Sequence, residues 1–288
     1  MSRRSARHAL LWVFSTALVA VLAVVAGLWA MNFFTARPVA LSVGCSASTD
    51  AGTFRLAPDQ TANASLISSV ALRRNLPPRA VTIALAVAMQ ESKIRNITYG
   101  DLDSVGLFQQ RPSQGWGTKE QILNPEYAIN AFYNALLKVP NYQSMAVTDA
   151  GQAVQRSAFP LAYGQHEPMA RAFASALTGN STGNLSCTLN PPSAAGTPAD
   201  VEAALRQNFG SITVQSTPTG VRISSSGSYA WAMAQWAVAN AQSLNLSQVS
   251  FAGENWICGN NDGATNRGWV SGGVPSDTEV IITVQKPS

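Results

Sequence analysis

Three carboxylates lie in a stretch of the chain that is otherwise free of acidic residues. Glu91, Asp101 and Asp103 are the only acidic residues between positions 60 and 119. Glu91 follows an apolar run that predicts a buried helix over 79–95. Burial and the negative end of a helix dipole both raise the pKa of a carboxyl group. Such a group stays protonated near neutral pH and can donate its proton to the leaving oxygen of a glycosidic bond.

The residues after Glu91 indicate a binding cleft. Residues 106–112 (GLFQQRP) and 114–117 (QGWG) combine glycines, glutamines and aromatic rings. Glycine allows a ligand to approach the backbone closely, and amides bond to sugar hydroxyls and acetamido groups. Phe108 and Trp116 either stack on sugar faces or anchor the core. The alternative for Glu91 itself is an exposed position at a frayed helix end.

The chain resembles a known family in this region. Gln90-Glu91-Ser92, followed by GLFQ at 106–109, resembles the Glu-Ser and Gly-Leu-Met-Gln motifs of lytic transglycosylases with the goose-lysozyme-like fold. The string DSVGLFQQRPSQGWGT at 103–118 looks like exported actinobacterial proteins carrying this domain. The resemblance covers 59–178 and implies a Glu91 acid that cleaves peptidoglycan between N-acetylmuramic acid and N-acetylglucosamine. The candidate substrate-binding residues are Ser92, Gly106, Leu107, Phe108, Gln109, Gln110, Trp116 and Tyr163.

One family motif is matched only in part. The later Ala-Tyr-Asn signature corresponds to Ala162-Tyr163-Gly164, and Gln155 is an alternative residue for that wall of the cleft. His166 is expected at the surface rather than in catalysis.

The sequence leaves two mechanisms open. A lytic transglycosylase uses one Glu as acid and then base, while the 6-hydroxyl of the sugar attacks and gives an anhydro product. An inverting hydrolase needs a second carboxylate about 6.5–9.5 Å away to position water. Asp101 or Asp103 could supply it, although both are also typical turn residues. The single-Glu mechanism is favoured. A non-catalytic wall-binding or assembly protein on the same scaffold is the alternative function.

An uncharged apolar run at 9–34 predicts a transmembrane helix, because about 20 such residues cross the hydrocarbon layer. Arginines at positions 3, 4 and 7 precede the run, which predicts a cytoplasmic N-terminus at 1–8. The chain is then a single-pass membrane protein with its catalytic domain facing the cell wall. A cleaved signal peptide is the alternative, but its apolar core is usually about 7–15 residues.

The predicted fold class is an N-terminal transmembrane helix, a mainly α lysozyme-like domain and a small C-terminal α+β domain. The predicted boundaries are a tether at 35–56, the lysozyme-like domain at 57–180, a linker at 181–198 and the α+β domain at 199–288. The last domain either completes the fold, contacts a partner or binds glycan.

Charge and cysteine content limit the partners. Four of the 19 Lys and Arg residues lie at or before position 37, leaving 15 against all 15 acidic residues. The net charge of the remainder is zero, which argues against nucleic acid. Three cysteines permit one disulfide, with Cys45–Cys187 the first choice and Cys258 left over. No metal or cofactor is predicted. The expected partners are peptidoglycan strands and the membrane, and no protein partner is identified.

Overall fold

The computed structural model describes residues 21–27, 42–157, 161–259 and 267–287. The chain divides into two units, Met1–Ala40 and Leu41–Ser288. In the first unit the described residues form helix α1 at 21–27.

The predicted transmembrane helix is contradicted. Most of the span at 9–34 lies outside the described residues, and within the described ranges no helix is long and apolar enough to cross a membrane. The single-pass membrane localisation that followed from this span is therefore also contradicted.

Eight further helices are present among the described residues of the second unit. Their bounds are α2 Pro58–Arg73, α3 Pro78–Ser92, α4 Lys119–Ile122, α5 Pro125–Leu136, α6 Val147–Gln155, α7 Glu167–Leu177, α8 Pro198–Phe209 and α9 Gly227–Ala239. Short 3-10 turns occur at Pro112–Gln114 and Gly164–His166. Proline in the first turn and side-chain caps define several of these starts. For example, the Asn124 side chain accepts from the backbone of Glu126 at 3.0 Å.

Helix α3 is the centre of the helical region. Its residues from Ala80 to Ala88 are all buried, as expected for a helix that is apolar on every face. It packs against α2, α5, α6 and α7. Because neighbours surround it, its C-terminal end is held in a fixed position.

A three-stranded antiparallel sheet covers one side of these helices. Its order is β2-β1-β3, with β1 at Gly44–Thr49, β2 at Gly52–Leu56 and β3 at Ser186–Thr188. Cys45 lies opposite Cys187 in the ladder, and the two form a disulfide with a Cα–Cα distance of 3.9 Å. Strands therefore occupy ranges that the sequence analysis assigned to a tether and a linker.

A six-stranded antiparallel sheet forms the C-terminal part, in the order β4-β5-β9-β6-β7-β8. The strands are β4 Val214–Thr217, β5 Gly220–Ser224, β6 Leu246–Phe251, β7 Glu254–Ile257, β8 Trp269–Ser271 and β9 Glu279–Val284. Alternate residues of β9 (Val280, Ile282 and Val284) are buried.

The predicted fold class, with its mainly α lysozyme-like domain, is wrong. Of the described residues 43% are helical, and nine described strands form two antiparallel sheets. The strands β1 to β3 are short and rich in Ser, Thr and Gly, a composition more typical of loops than of strands. Pairing and burial in the folded unit, rather than local propensity, account for them.

Helix α9 joins the C-terminal sheet to the helical region. It contacts α2 and α7 on one side and β6 and β9 on the other. The fully buried Gln235 amide donates to the Ala176 and Ser181 carbonyls at 2.7 and 2.9 Å. Its oxygen accepts from the backbone of Asn184 and Leu185 at 3.0 and 2.7 Å. A buried amide that is satisfied in this way fixes α9 against the end of α7.

Candidate active site

The C-terminal end of α3 carries Glu91 and stops abruptly. Lys93 and Ile94 both have left-handed backbones, with φ of 57° and 54°. Lys93 N donates to the Met89 carbonyl at 3.2 Å, and Ile94 N donates to the Ala88 carbonyl at 2.9 Å. Ile94 is completely buried. The buried side chain anchors the reversal, so that Glu91 is placed in the last helical turn.

Ser92 connects this helix end to the glycine-rich loop. Its hydroxyl donates to the Leu107 carbonyl at 2.7 Å and accepts from Arg95 N at 3.1 Å. Gly106 has a φ of +81°, and its N–H donates to the Ile97 carbonyl at 2.7 Å. A Cβ on Gly106 would lie 2.9 Å from the Ile122 carbonyl oxygen. The two sequence motifs are therefore in direct contact, and the loop fits only with glycine at 106.

Glu91 is half-buried and hydrogen-bonded to a tyrosine. The Tyr163 hydroxyl donates to Glu91 Oε1 at 2.6 Å, and the Tyr163 residue is fully buried. Burial raises the pKa of Glu91 above its ordinary value, while hydrogen bonds from Tyr163 and Gln155 act in the opposite direction without cancelling the increase. Burial and the neighbouring carboxylate raise the pKa of Tyr163, so the phenol stays a donor.

Gln155 closes the same wall of the site. It is the last residue of α6, and its amide donates to the Phe108 carbonyl at 2.7 Å. This bond connects α6 to the glycine-rich loop. Gln155 therefore occupies the position that the sequence analysis considered for it, next to Tyr163 rather than in place of it.

A cavity of about 490 Å³ opens over Glu91. Neutral amides and hydroxyls, one indole ring and two arginines surround the two carboxylates in its wall. The lining residues are Glu91, Asp101, Ser104, Gln109, Arg111, Gln114, Trp116, Gln155, Arg156 and Ser157. A wall of this kind can bind a neutral, hydroxyl-rich ligand while one carboxyl group performs proton transfer.

The two loop aspartates are in different environments. Asp103 accepts from Arg111 Nε at 2.6 Å and from Ser113 N at 2.8 Å. These partners hold the pKa of its carboxyl well below the usual range, and Asp103 is not part of the cavity wall. Asp101 does line the cavity together with Glu91. Of the two predicted water-positioning residues, only Asp101 is placed where it could act on a ligand.

Several of the predicted substrate-binding residues belong to the core beneath the cavity. Leu107 and Phe108 are completely buried, and the Phe108 ring stacks on Phe132 with centroids 4.4 Å apart. Gln110 is buried and donates to the Ala128 carbonyl at 3.2 Å. These residues shape the loop from below and do not reach the cavity.

Two other predicted residues do reach it. Gln109 lines the cavity from a left-handed backbone position (φ 48°), and its amide donates to the Tyr99 carbonyl at 3.2 Å. Trp116 lines the same wall and accepts a hydrogen bond at its carbonyl from the Tyr127 hydroxyl at 3.2 Å.

His166 lies beside Gln90. It is half-buried, and its Nε2 is 2.9 Å from the Gln90 side-chain oxygen. Burial, and then the charge of Lys93, lower the pKa of His166. It is not among the cavity-lining residues. Across the described ranges, no group of three or more His, Cys, Asp or Glu side chains is arranged to hold a metal ion.

Sequence reasoning missed the residues that enter the site from the segment after α6 and from the loop before the glycines. Arg156 and Ser157 follow Gln155 directly, and Ser104 precedes Gly106 by two positions. Their proximity along the chain to recognised motif residues was the only available signal.

No protein-family model matches this sequence, and a search of curated proteins found no match.

Proposed function

We propose that this chain cleaves the glycan strands of peptidoglycan between N-acetylmuramic acid and N-acetylglucosamine, with Glu91 as general acid. One observation carries the proposal. Glu91 is a half-buried carboxyl with a raised pKa at the wall of an amide-rich cavity, and Tyr163 is bonded to one of its oxygens. The likeness of the Glu91-Ser92 and Gly106–Gln109 motifs to those of lytic transglycosylases supplies the substrate class.

The proposed path of the proton starts from the hydrogen bond between Tyr163 and Glu91. Because Tyr163 donates to Oε1, the other oxygen of Glu91 is the one that carries the catalytic proton. Donation to the glycosidic oxygen breaks the bond and leaves Glu91 as a carboxylate. The Tyr163 and Gln155 hydrogen bonds stabilise that anion, as their effect on its pKa indicates. The carboxylate can then accept a proton from the attacking hydroxyl.

The nucleophile is proposed to be the sugar's own 6-hydroxyl. The Asp103 carboxylate accepts hydrogen bonds from Arg111 and Ser113 and is therefore not available to position a water. Asp101 is exposed, and its backbone carbonyl accepts from Ser104 N at 3.0 Å in a turn. A single-carboxylate mechanism uses Glu91, the half-buried acid of the cavity, and gives a 1,6-anhydro product.

The experiment is mass spectrometry of muropeptides released from purified peptidoglycan by the full-length chain and by Glu91→Gln. We expect anhydro-muramyl ends with the wild type and a rate reduced about 100- to 10,000-fold in the variant. Glu120→Gln is the matched control, because Glu120 is an exposed carboxylate outside the cavity.

Other outcomes of this experiment would replace or contradict the proposal. Reducing ends would replace the transglycosylase mechanism by hydrolysis, and Asp101→Asn would then abolish activity. Release of no product by folded wild-type protein would contradict the enzyme proposal. Retained binding to peptidoglycan in that case would support the wall-binding alternative.

A further inference from the structure

The turn that follows Tyr163 is joined to α3 at a second point beside Glu91. This 3-10 turn, Gly164–His166, packs against α3. His166 Nε2 lies 2.9 Å from the side-chain oxygen of Gln90, the residue that precedes Glu91. His166 N also donates to the Tyr163 carbonyl at 3.1 Å. The segment that presents the Tyr163 hydroxyl is therefore connected to the helix end that presents the Glu91 carboxyl.

The direction of the bond between His166 and Gln90 follows from a neighbouring amide. A backbone carbonyl only accepts, so the Gln165 atom that lies 3.1 Å from the Ala162 carbonyl oxygen is the amide nitrogen. The same nitrogen lies 3.3 Å from the Gln90 side chain, which therefore turns its oxygen toward it. An amide oxygen cannot donate, so His166 Nε2 carries a hydrogen and is the donor. Both the neutral and the charged imidazole can form this bond.

A packing contact restrains the Tyr163 ring from the side of α6. A Cβ on Gly151 would lie 3.0 Å from Tyr163 Cδ2 and 2.9 Å from Val87 Cγ2. Glycine at 151 thus lets α6 approach both the tyrosine ring and α3 closely. Because packing restrains the ring sideways, the distance from its hydroxyl to the carboxyl on α3 depends on where the following turn holds the backbone.

The charged groups around the imidazole leave it neutral and outside the cavity. Burial, and then the charge of Lys93 at the end of α3, lower the pKa of His166. Glu167, the next residue along the chain, pairs with Arg79 and Arg171 at 2.8 and 2.6 Å. His166 does not line the cavity wall. It can therefore influence the site through the residues that it holds in place.

We propose that His166 and Gln90 form a positioning pair that sets the distance between the Tyr163 hydroxyl and the Glu91 carboxyl. The kinetic consequence rests on the proposed function, since Glu91 is the acid of that reaction. Neither member of the pair lines the cavity, so neither touches the reacting atoms. Breaking their bond lets the turn move away from α3, which lengthens and weakens the hydrogen bond to Glu91 Oε1. The pair thus acts on Glu91 through Tyr163.

The test is an NMR titration of isotope-labelled glutamate carboxyls in the full-length chain, with the Glu91 signal identified by its loss in Glu91→Gln. His166→Leu and Gln90→Leu remove the donor and the acceptor of the same bond, so the result does not depend on one variant. We expect each to raise the pKa of Glu91, because the Tyr163 bond that lowers it is weakened. His166→Gln is the matched control and should titrate as the wild type, since glutamine carries its nitrogen as many bonds from Cα as histidine carries Nε2.

Kinetics on peptidoglycan supply a second measurement. We expect kcat to fall about two- to tenfold in His166→Leu, the effect of losing one neutral hydrogen bond. KM should be unchanged, because His166 does not line the cavity. The alkaline limb of the pH–rate profile should move to higher pH, and His166→Gln should restore both properties. In a Tyr163→Phe background, His166→Leu should not move the limb further, because the hydroxyl through which it acts is gone.

The outcomes separate this inference from the proposed function. An unchanged Glu91 pKa in folded His166→Leu and Gln90→Leu would overturn the positioning pair, whether or not peptidoglycan is cleaved. An equal shift in His166→Gln and His166→Leu would also overturn it, because the glutamine variant keeps a donor. A raised Glu91 pKa in both leucine variants but not in His166→Gln, without cleavage by the wild type, would support the pair and overturn the proposed function.

Discussion

The Glu91 carboxyl is influenced in opposite directions by burial and by the Tyr163 hydroxyl. Burial raises its pKa, and the hydrogen bond from Tyr163 lowers it. In the proposed reaction the proton-donating form of Glu91 must be present for the first step, so activity should fall as pH rises through the pKa of Glu91. In that reaction Tyr163 therefore affects both the pH range of activity and the stability of the carboxylate that forms.

Tyr163→Phe should change both properties. Loss of the donor should raise the pKa of Glu91 further and move the alkaline limb of the pH–rate profile to higher pH. The rate at the optimum should fall about tenfold, because a hydrogen bond to a charged group contributes about 1.5 kcal/mol or more. The measurement is kcat/KM against pH, with Tyr229→Phe in the C-terminal part as the control. An unchanged alkaline limb would contradict the role of the Tyr163 hydroxyl.

Glu91 also has a consequence for stability. Its folded-state pKa is raised, so its contribution is most favourable below the unfolded-state pKa and is lost as pH rises through the folded-state pKa. Glu91→Gln removes the half-buried carboxylate but keeps an oxygen that can accept from Tyr163. We expect the variant's melting temperature to exceed the wild type's by more at pH 8 than at pH 4. Thermal unfolding at the two pH values gives the comparison, and an equal difference at both would contradict it.

At the scale of elements, the contact between α3 and the glycine-rich loop depends on Gly106. Gly106→Ala introduces a Cβ 2.9 Å from the Ile122 carbonyl oxygen at a φ of +81°. Gly115 is the matched control, because its φ is +78° and a Cβ there has no neighbour within 4 Å. Both substitutions carry the backbone cost, about 1 kcal/mol, and only the first adds a clash. Chemical denaturation should show Gly106→Ala to be less stable than Gly115→Ala by roughly 1–3 kcal/mol.

The helix that carries Glu91 is an element that the sequence predicts well. The expected range 79–95 corresponds to α3 (Pro78–Ser92). Apolar periodicity and proline at the first turn are local signals, and the surrounding structure reinforces them.

The strands were harder to predict because their signal is not local. β1 (Gly44–Thr49) alternates small residues, and only pairing with β2 and β3 explains why Cys45 and Ala47 are buried. The site shows the same limit. The chemistry of Glu91 is readable from its apolar helix, whereas the sequence does not reveal that Phe108 stacks on Phe132 beneath the cavity. Spacing along the chain cannot distinguish a cavity wall from the layer under it.

At the scale of the whole molecule, residues 41–288 form one compact unit. Helix α9 contacts α2, α7 and the six-stranded sheet, and Gln235 bonds to both the end of α7 and the segment that follows it. The C-terminal part therefore supports the helices that carry the site. Its contribution in this structure is to hold those helices in place.

The Cys45–Cys187 bridge should contribute substantially to this unit, since it joins residues separated by 142 positions. Replacing both cysteines by alanine should lower the free energy of unfolding by about 2–5 kcal/mol. Cys258→Ala, which removes the half-buried free thiol, should have a smaller effect. Denaturant titrations of the two variants, with and without reductant, measure the difference. A reductant effect that persists after Cys45 and Cys187 are replaced would contradict this assignment.

The same bridge bears on what happens when a protease cuts the chain. Glu91, Tyr163 and the cavity-lining residues all lie between Cys45 and Cys187 along the sequence. The loop that carries the exposed Tyr99 and Leu102 is an accessible place for a cut within this interval. A single cut there leaves both fragments covalently joined, so the clipped protein migrates as one species until it is reduced. The cut itself would therefore not be visible on a non-reducing gel, even where it abolished the proposed activity.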